Sequence, residues 1–164
     1  MDVIGPMPYE QVNQLLDAAY PKGALNYWKA NFLTTLSDEA IDIILDRYAS
    51  VPSPMTAIVI EHFHGAVTRV GVSDTAFPHR NAEVMLVFAS GWMDRAQDEQ
   101  MIAETRALYK AFEPFLGGYY DNIEFDGEAA ASNYGPAYPR LSKIKGEYDP
   151  KNLFRLNSNI ASAA

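Results

Sequence analysis

Ala82-Glu-Val-Met-Leu-Val-Phe-Ala-Ser-Gly91 is the stretch on which the fold turns. Within it Val84, Met85, Leu86, Val87 and Phe88 form an unbroken apolar run, the pattern of a strand covered on both faces rather than half-exposed to water. Immediately upstream, residues 56–69 are rich in Ile, Val, Phe and Thr and are interrupted by Gly65. That composition predicts a long partner strand with a bulge or a close backbone approach at the glycine. Before it, Ser37 followed by Asp38 and Glu39 gives an N-cap with acidic residues at the positive end of a helix. Ile41, Ile44, Leu45 and Tyr48 then mark its expected buried face, and Pro52 and Pro54 end it.

Further out, residues 25–33 carry Tyr27, Trp28 and Phe32 without a helical stripe and read as a strand. Val12, Leu15, Leu16 and Ala19 recur at helical spacing until Pro21, Lys22 and Gly23 break the pattern. Downstream, Ile102, Tyr109, Phe112 and Leu116 fit one face of a long helix over residues 94–116, with Gly117-Gly118 as its stop. Residues 119–125 return as a strand, and the tail is cut by Pro136, Pro139 and Pro150 into short helical pieces. Leu153, Phe154 and Ile160 are its apolar anchors and are expected to dock against the body. The order strand, helix, two strands, helix, strand predicts an α+β domain, an antiparallel or mixed sheet with helices mainly on one face. A second face left bare would require a ligand, another domain or a second subunit, so a homodimer is one expected outcome.

The 164 residues make one domain, 1–164, of ordinary globular composition, with 48% hydrophobic and 21% charged residues. A formal charge of −8, with 13 Lys and Arg that form no stripe, opposes binding to nucleic acid. No apolar run approaches a membrane span and no signal-peptide order opens the chain, so a cytoplasmic protein is expected. Zero cysteines exclude disulfides, thiolate catalysis and Cys-ligated metals. His62-x-His64, with Glu61 and His79 as further ligands, is the one arrangement that raises a metal site. Histidines at unsettled spacing are common in sheets without metal, and no metal is expected.

The tail Tyr148-Asp-Pro-Lys-Asn-Leu-Phe-Arg-Leu-Asn-Ser-Asn-Ile160 resembles the closing motif of berberine bridge enzyme-like flavoproteins almost letter for letter. Tyr134-Gly135-Pro-Ala-Tyr138-Pro-Arg140-Leu141, Tyr120-Asp-Asn122, Thr75-Ala-Phe-Pro-His-Arg80, and Glu61-His62 with Gly65-Ala66 are similar to further motifs of that family, in the same order. The likeness starts at Gly5-Pro6-Met7-Pro8-Tyr9 and runs through nearly the whole chain, with the berberine-like motif over about 118–160.

The resemblance implies the substrate-side half of an FAD-linked oxidoreductase, in which an N-terminal domain holds the flavin and a sheet domain covers its ring. No Gly-x-Gly-x-x-Gly, and no other glycine-rich stretch after a strand, is present to hold a pyrophosphate, so the FAD-binding domain is expected to be absent and the chain inactive and free of FAD on its own. By the same resemblance Tyr120, Asn122, Tyr134 and Tyr138 would lie near the flavin, and His62, His64 and Arg69 would line the substrate pocket. Ala137 stands where most relatives carry Asn, His64 replaces a common glycine, and Arg69 lies near the place of an acidic base in plant members. The implied partners are an FAD-binding domain or subunit and a small-molecule substrate. The implied reaction is hydride transfer from an alcohol or amine carbon to flavin. A stand-alone domain from a truncated or split gene, binding a small molecule or a partner chain, is the alternative.

Overall fold

The computed structural model describes residues 5–51, 53–119, 130–156 and 158–163. Its centre is an antiparallel sheet in the order β2-β3-β1-β4, formed by β1 (Leu25–Leu33), β2 (Ala57–His62), β3 (Val84–Trp92) and β4 (Leu116–Tyr119). All nine residues of β3 are buried, as the unbroken apolar run predicts, because β3 is paired on both edges and covered on both faces. The helices are α1 (Tyr9–Val12), α2 (Asp38–Tyr48), α3 (Asp98–Ala111), α4 (Ala130–Tyr134) and α5 (Tyr138–Tyr148). The α+β class and the order of elements from β1 to α3 follow the sequence reading, while β4 begins at Leu116 and the strand expected over 119–125 lies, beyond Tyr119, outside the described residues. Among the described residues no helix is long and apolar enough to cross a membrane.

One face of the sheet packs on helices. Leu33, Val84, Leu86 and Phe88 meet Ala40 of α2, Leu108 and Tyr109 of α3 and Phe112, with Ile43, Ile44 and Ile58 at the margin. Ser37 caps α2, its hydroxyl accepting from the Ala40 N–H at 3.3 Å. The buried face of α2 differs from expectation. Ala40 is its one fully buried residue, while Ile41, Leu45 and Tyr48 are 37%, 65% and 53% exposed. The small Ala40, not the large residues, makes the closest approach to the sheet.

The other face is not bare. Phe32, Met85, Val87 and Ala89 are buried there beneath Phe63 and Phe77 from the segment that joins β2 to β3. Phe63 and Phe77 each meet Phe32 edge-on, at 5.3 and 5.7 Å between ring centres. The apolar demand of this face is therefore met within the chain by a non-helical segment, which periodicity does not register.

Several boundaries move for identifiable reasons. The strand expected over 56–69 ends at His62, and Gly65 takes φ +67° at a turn instead of a bulge. Gly117-Gly118 do not stop a helix but lie inside β4. Pro139 starts α5 rather than breaking it, since the first helical turn needs no N–H there. The first amphipathic pattern yields only α1 and a separate short turn over 17–19, with Leu15 and Leu16 more than half exposed. In the tail, Leu153 and Phe154 are 72% and 82% exposed instead of docked, and only Ile160 is half-buried.

Candidate functional site

Where the 75–80 segment, β4 and the α4–α5 turn converge, the sequence motifs become one structure. Arg80 staples its own segment: Nε donates to the Phe77 carbonyl at 3.2 Å, one terminal nitrogen to the Val67 carbonyl at 3.1 Å and the other to Thr75 Oγ1 at 2.6 Å. Its guanidinium also lies 4.8 Å from the centre of the Phe77 ring. The planar fork thus fixes a stretch that has no ladder of its own.

His79, next in line, is held from two sides. Its ring stacks on Phe32 at 4.3 Å and 17°, and Nε2 lies 3.1 Å from the Asn133 carbonyl of α4. A carbonyl only accepts, so Nε2 carries the hydrogen. β4 passes close to the same ring. Gly118 has φ +151°, and a Cβ built there would stand 2.1 Å from His79 Cε1. Glycine is therefore required, and the space it opens is filled by the imidazole of this chain.

Beyond His79, Asn133 donates through Nδ2 to Ser158 Oγ at 3.3 Å, and the Tyr138 hydroxyl accepts from the Ala161 N–H at 3.2 Å. The 75–80 segment, α4, α5 and the tail are thereby linked in sequence. A cleft of ≈ 290 Å³ opens along this seam, lined by Thr34, His79, Asn81, Gly118, Ser132 and Pro136 among others. Among the described residues no Lys, Arg, Asp or Glu lines it, which suits a neutral ring or hydroxylated group.

The expected site residues divide. Tyr134 and Tyr138 are half-buried and flank the turn of Gly135–Ala137 at this seam. Tyr120 and Asn122 lie outside the described residues. His62, opposite Val84 in the register, projects to the helix side of the sheet and is exposed. His64 and Arg69 are exposed in the turns after β2. The histidines do not converge: among the described residues no three His, Asp or Glu side chains form a group able to hold a metal. Sequence reading missed His79, Gly118 and Asn133 as the joint of the site. The double glycine just before Tyr119 was the available signal.

The tail is built on one carboxylate. Asp149 accepts from Lys145 Nζ and from the Leu153 and Phe154 N–H groups at 2.7 and 3.0 Å, and Lys145 also donates to the Phe154 carbonyl at 2.6 Å. The hydrogen bond from Lys145 holds the Asp149 carboxyl below the usual aspartate range, against the opposing effect of burial and with support from the two backbone donors. Asn152 adopts φ +49° to close this loop.

The chain is similar to known flavin-linked proteins in sequence and in fold. The family model described as "Berberine and berberine like" matches residues 108–161. An FAD-linked oxidoreductase of Dictyostelium discoideum is 32% identical over 160 residues, covering 96% of this chain and 35% of that protein. The solved structure of BBE-like 28 from Arabidopsis thaliana superposes with a TM-score of 0.79 at 16% identity, over 87% of this chain and 35% of the other. That of berberine bridge enzyme from Eschscholzia californica gives 0.77 at 20% identity, over 86% and 34%. These two likenesses concern the fold. The chain spans about a third of the length of such relatives.

Proposed function

On the premise that this chain carries a berberine and berberine-like region and is similar to an FAD-linked oxidoreductase, we propose that it forms the substrate-side cover of such an enzyme. The observation that carries this reading is the seam cleft beside the two tyrosines. It offers hydroxyl and amide contacts at one end of the sheet, and its described lining carries no charged side chain. FAD as a whole does not fit the described residues, since the glycine-made space at β4 is taken by His79 and no cation lines the cleft. Holding the cofactor falls to another domain or subunit.

A bound flavin supplies a hydride acceptor for an alcohol or amine carbon. The residues of this chain orient the substrate and exclude water. Tyr120, Asn122, Tyr134 and Tyr138 serve the flavin side and His64 and Arg69 the approach of substrate, whereas His62, on the helix side of the sheet, faces away from the cleft. The Tyr138 oxygen accepts a bond from the tail and keeps its hydrogen to donate. Tyr148, Leu153, Phe154 and Leu156, all 72–87% exposed on a backbone fixed by Asp149, support a surface that the FAD-binding part covers.

The test is a chimera in which this chain replaces the matching region of the Dictyostelium discoideum relative. The isolated chain should give no saturable response to FAD. The chimera should retain flavin whose absorbance bleaches anaerobically with an alcohol or amine. A chimera that holds flavin and is reduced by dithionite, but by no alcohol or amine, overturns the reading.

A further inference from the structure

A second recess lies on the helix side of the sheet, across it from the seam, between the C-terminal end of α2 and the middle of α3. Its floor is made of three hydroxyls. Thr105 Oγ1 lies 2.7 Å from the Met101 carbonyl and 2.6 Å from Ser90 Oγ. Thr105 has one hydrogen, and the carbonyl only accepts, so that hydrogen goes to Met101. Ser90 must then donate to Thr105, which leaves the lone pairs of Ser90 Oγ available. Beside them Thr56 Oγ1 is buried without a hydrogen-bond partner among the described residues, and the residue as a whole is 6% exposed. A hydroxyl so placed is destabilising unless something meets it.

The floor therefore presents one free donor and free acceptors, the complement of a hydroxyl rather than of an ion. The recess measures ≈ 30 Å³ and opens to solvent. That volume admits one hydroxyl, a group the size of water, and leaves the rest of a small molecule at the open mouth. At the mouth stand Arg47 and Glu104, both exposed, and neither forms an ion pair among the described residues. One donor and one acceptor of opposite charge select no net charge on the ligand but suit a further hydroxyl.

We propose that this recess is a binding site for a small neutral polyol, one hydroxyl meeting Thr56 and Ser90 at the floor and a neighbouring hydroxyl meeting Arg47 or Glu104 at the mouth. It lies on the opposite side of the sheet from the seam cleft and does not depend on the oxidoreductase reading.

Titration of the ¹⁵N-labelled chain with glycerol and, separately, with 1-propanol tests it. The Thr56, Ser90 and Thr105 amide signals should shift saturably with glycerol, and at least tenfold more weakly with 1-propanol. Thr56→Val keeps the shape and removes the hydroxyl, and should weaken glycerol binding at least tenfold. Ser90→Ala gives the same reading if Thr56→Val does not fold. Shifts that stay linear in glycerol, equal binding of 1-propanol, or unchanged binding in the folded variant would each overturn the proposal.

Discussion

The middle of β3 and the loop after α5 carry apolar residues of the same kinds and treat them in opposite ways. Leu86 and Phe88 are wholly buried, whereas Leu153 and Phe154 are 72% and 82% exposed. In the first region apolar burial fixes the backbone. In the second the backbone is fixed by Asp149 and Lys145, and the apolar side chains are left facing outward. Order and burial are thus separable: the loop after α5 is fixed by hydrogen bonds without being buried.

Replacing one phenylalanine in each region is the strongest way to break this contrast. Phe88→Ala should cost about 3–5 kcal/mol by the lost transfer energy and the cavity left behind. Phe154→Ala should stay within about 0.5 kcal/mol, as surface changes do. Urea denaturation of the isolated chain measures both, and a Phe154→Ala loss comparable to that of Phe88→Ala would show that the tail packs on the body.

The joint between the two regions is the next target. Gly118→Ala forces a Cβ into the His79 ring at a positive φ and should destabilise by about 1–3 kcal/mol, the range of overpacked sites. Because part of that cost is the clash with His79, it should be smaller in a His79→Ala background. A double-mutant cycle by denaturation reads the coupling, and strict additivity would remove His79 as the contact.

The smallest effect is local and depends on pH. The Asp149 carboxyl is lowered below its unfolded value, chiefly by the hydrogen bond from Lys145. Its contribution is therefore present above the unfolded pKa and is lost as pH falls through the lowered folded one. The Leu153 and Phe154 amide signals should keep their folded positions down to the ordinary aspartate range and move only below it. Asp149→Asn should abolish that transition while leaving the signals of β3 unchanged. A transition that survives in the variant would assign it to another group.

The sequence carried local signals well wherever a single pattern governed the outcome. Residues 25–33 and the cap at Ser37 fall where composition placed them, because strand propensity and capping are decided within a few residues. It misjudged Leu45 and Tyr48, since helical spacing identifies a stripe but not which residue the sheet approaches. It also placed Gly117-Gly118 at a helix end, because a glycine pair reads the same whether it stops a helix or, as Gly118 does, admits a ring from 39 residues away. Of the candidate site, the motifs around Tyr134, Tyr138 and His79 were legible by resemblance, but their joining was not.

What the sequence determined by itself is the α+β order, the fully buried β3, the family likeness and the absence of any cysteine chemistry, each a property of residues near one another in the chain or of composition. Only the tertiary structure decided that Phe63 and Phe77 cover the second face, that His79 binds the C-terminal helices to the sheet, and that the three hydroxyls of Thr56, Ser90 and Thr105 share one recess. Those outcomes rest on contacts between residues far apart in sequence, where close packing and hydrogen-bond satisfaction, not local propensity, select the arrangement.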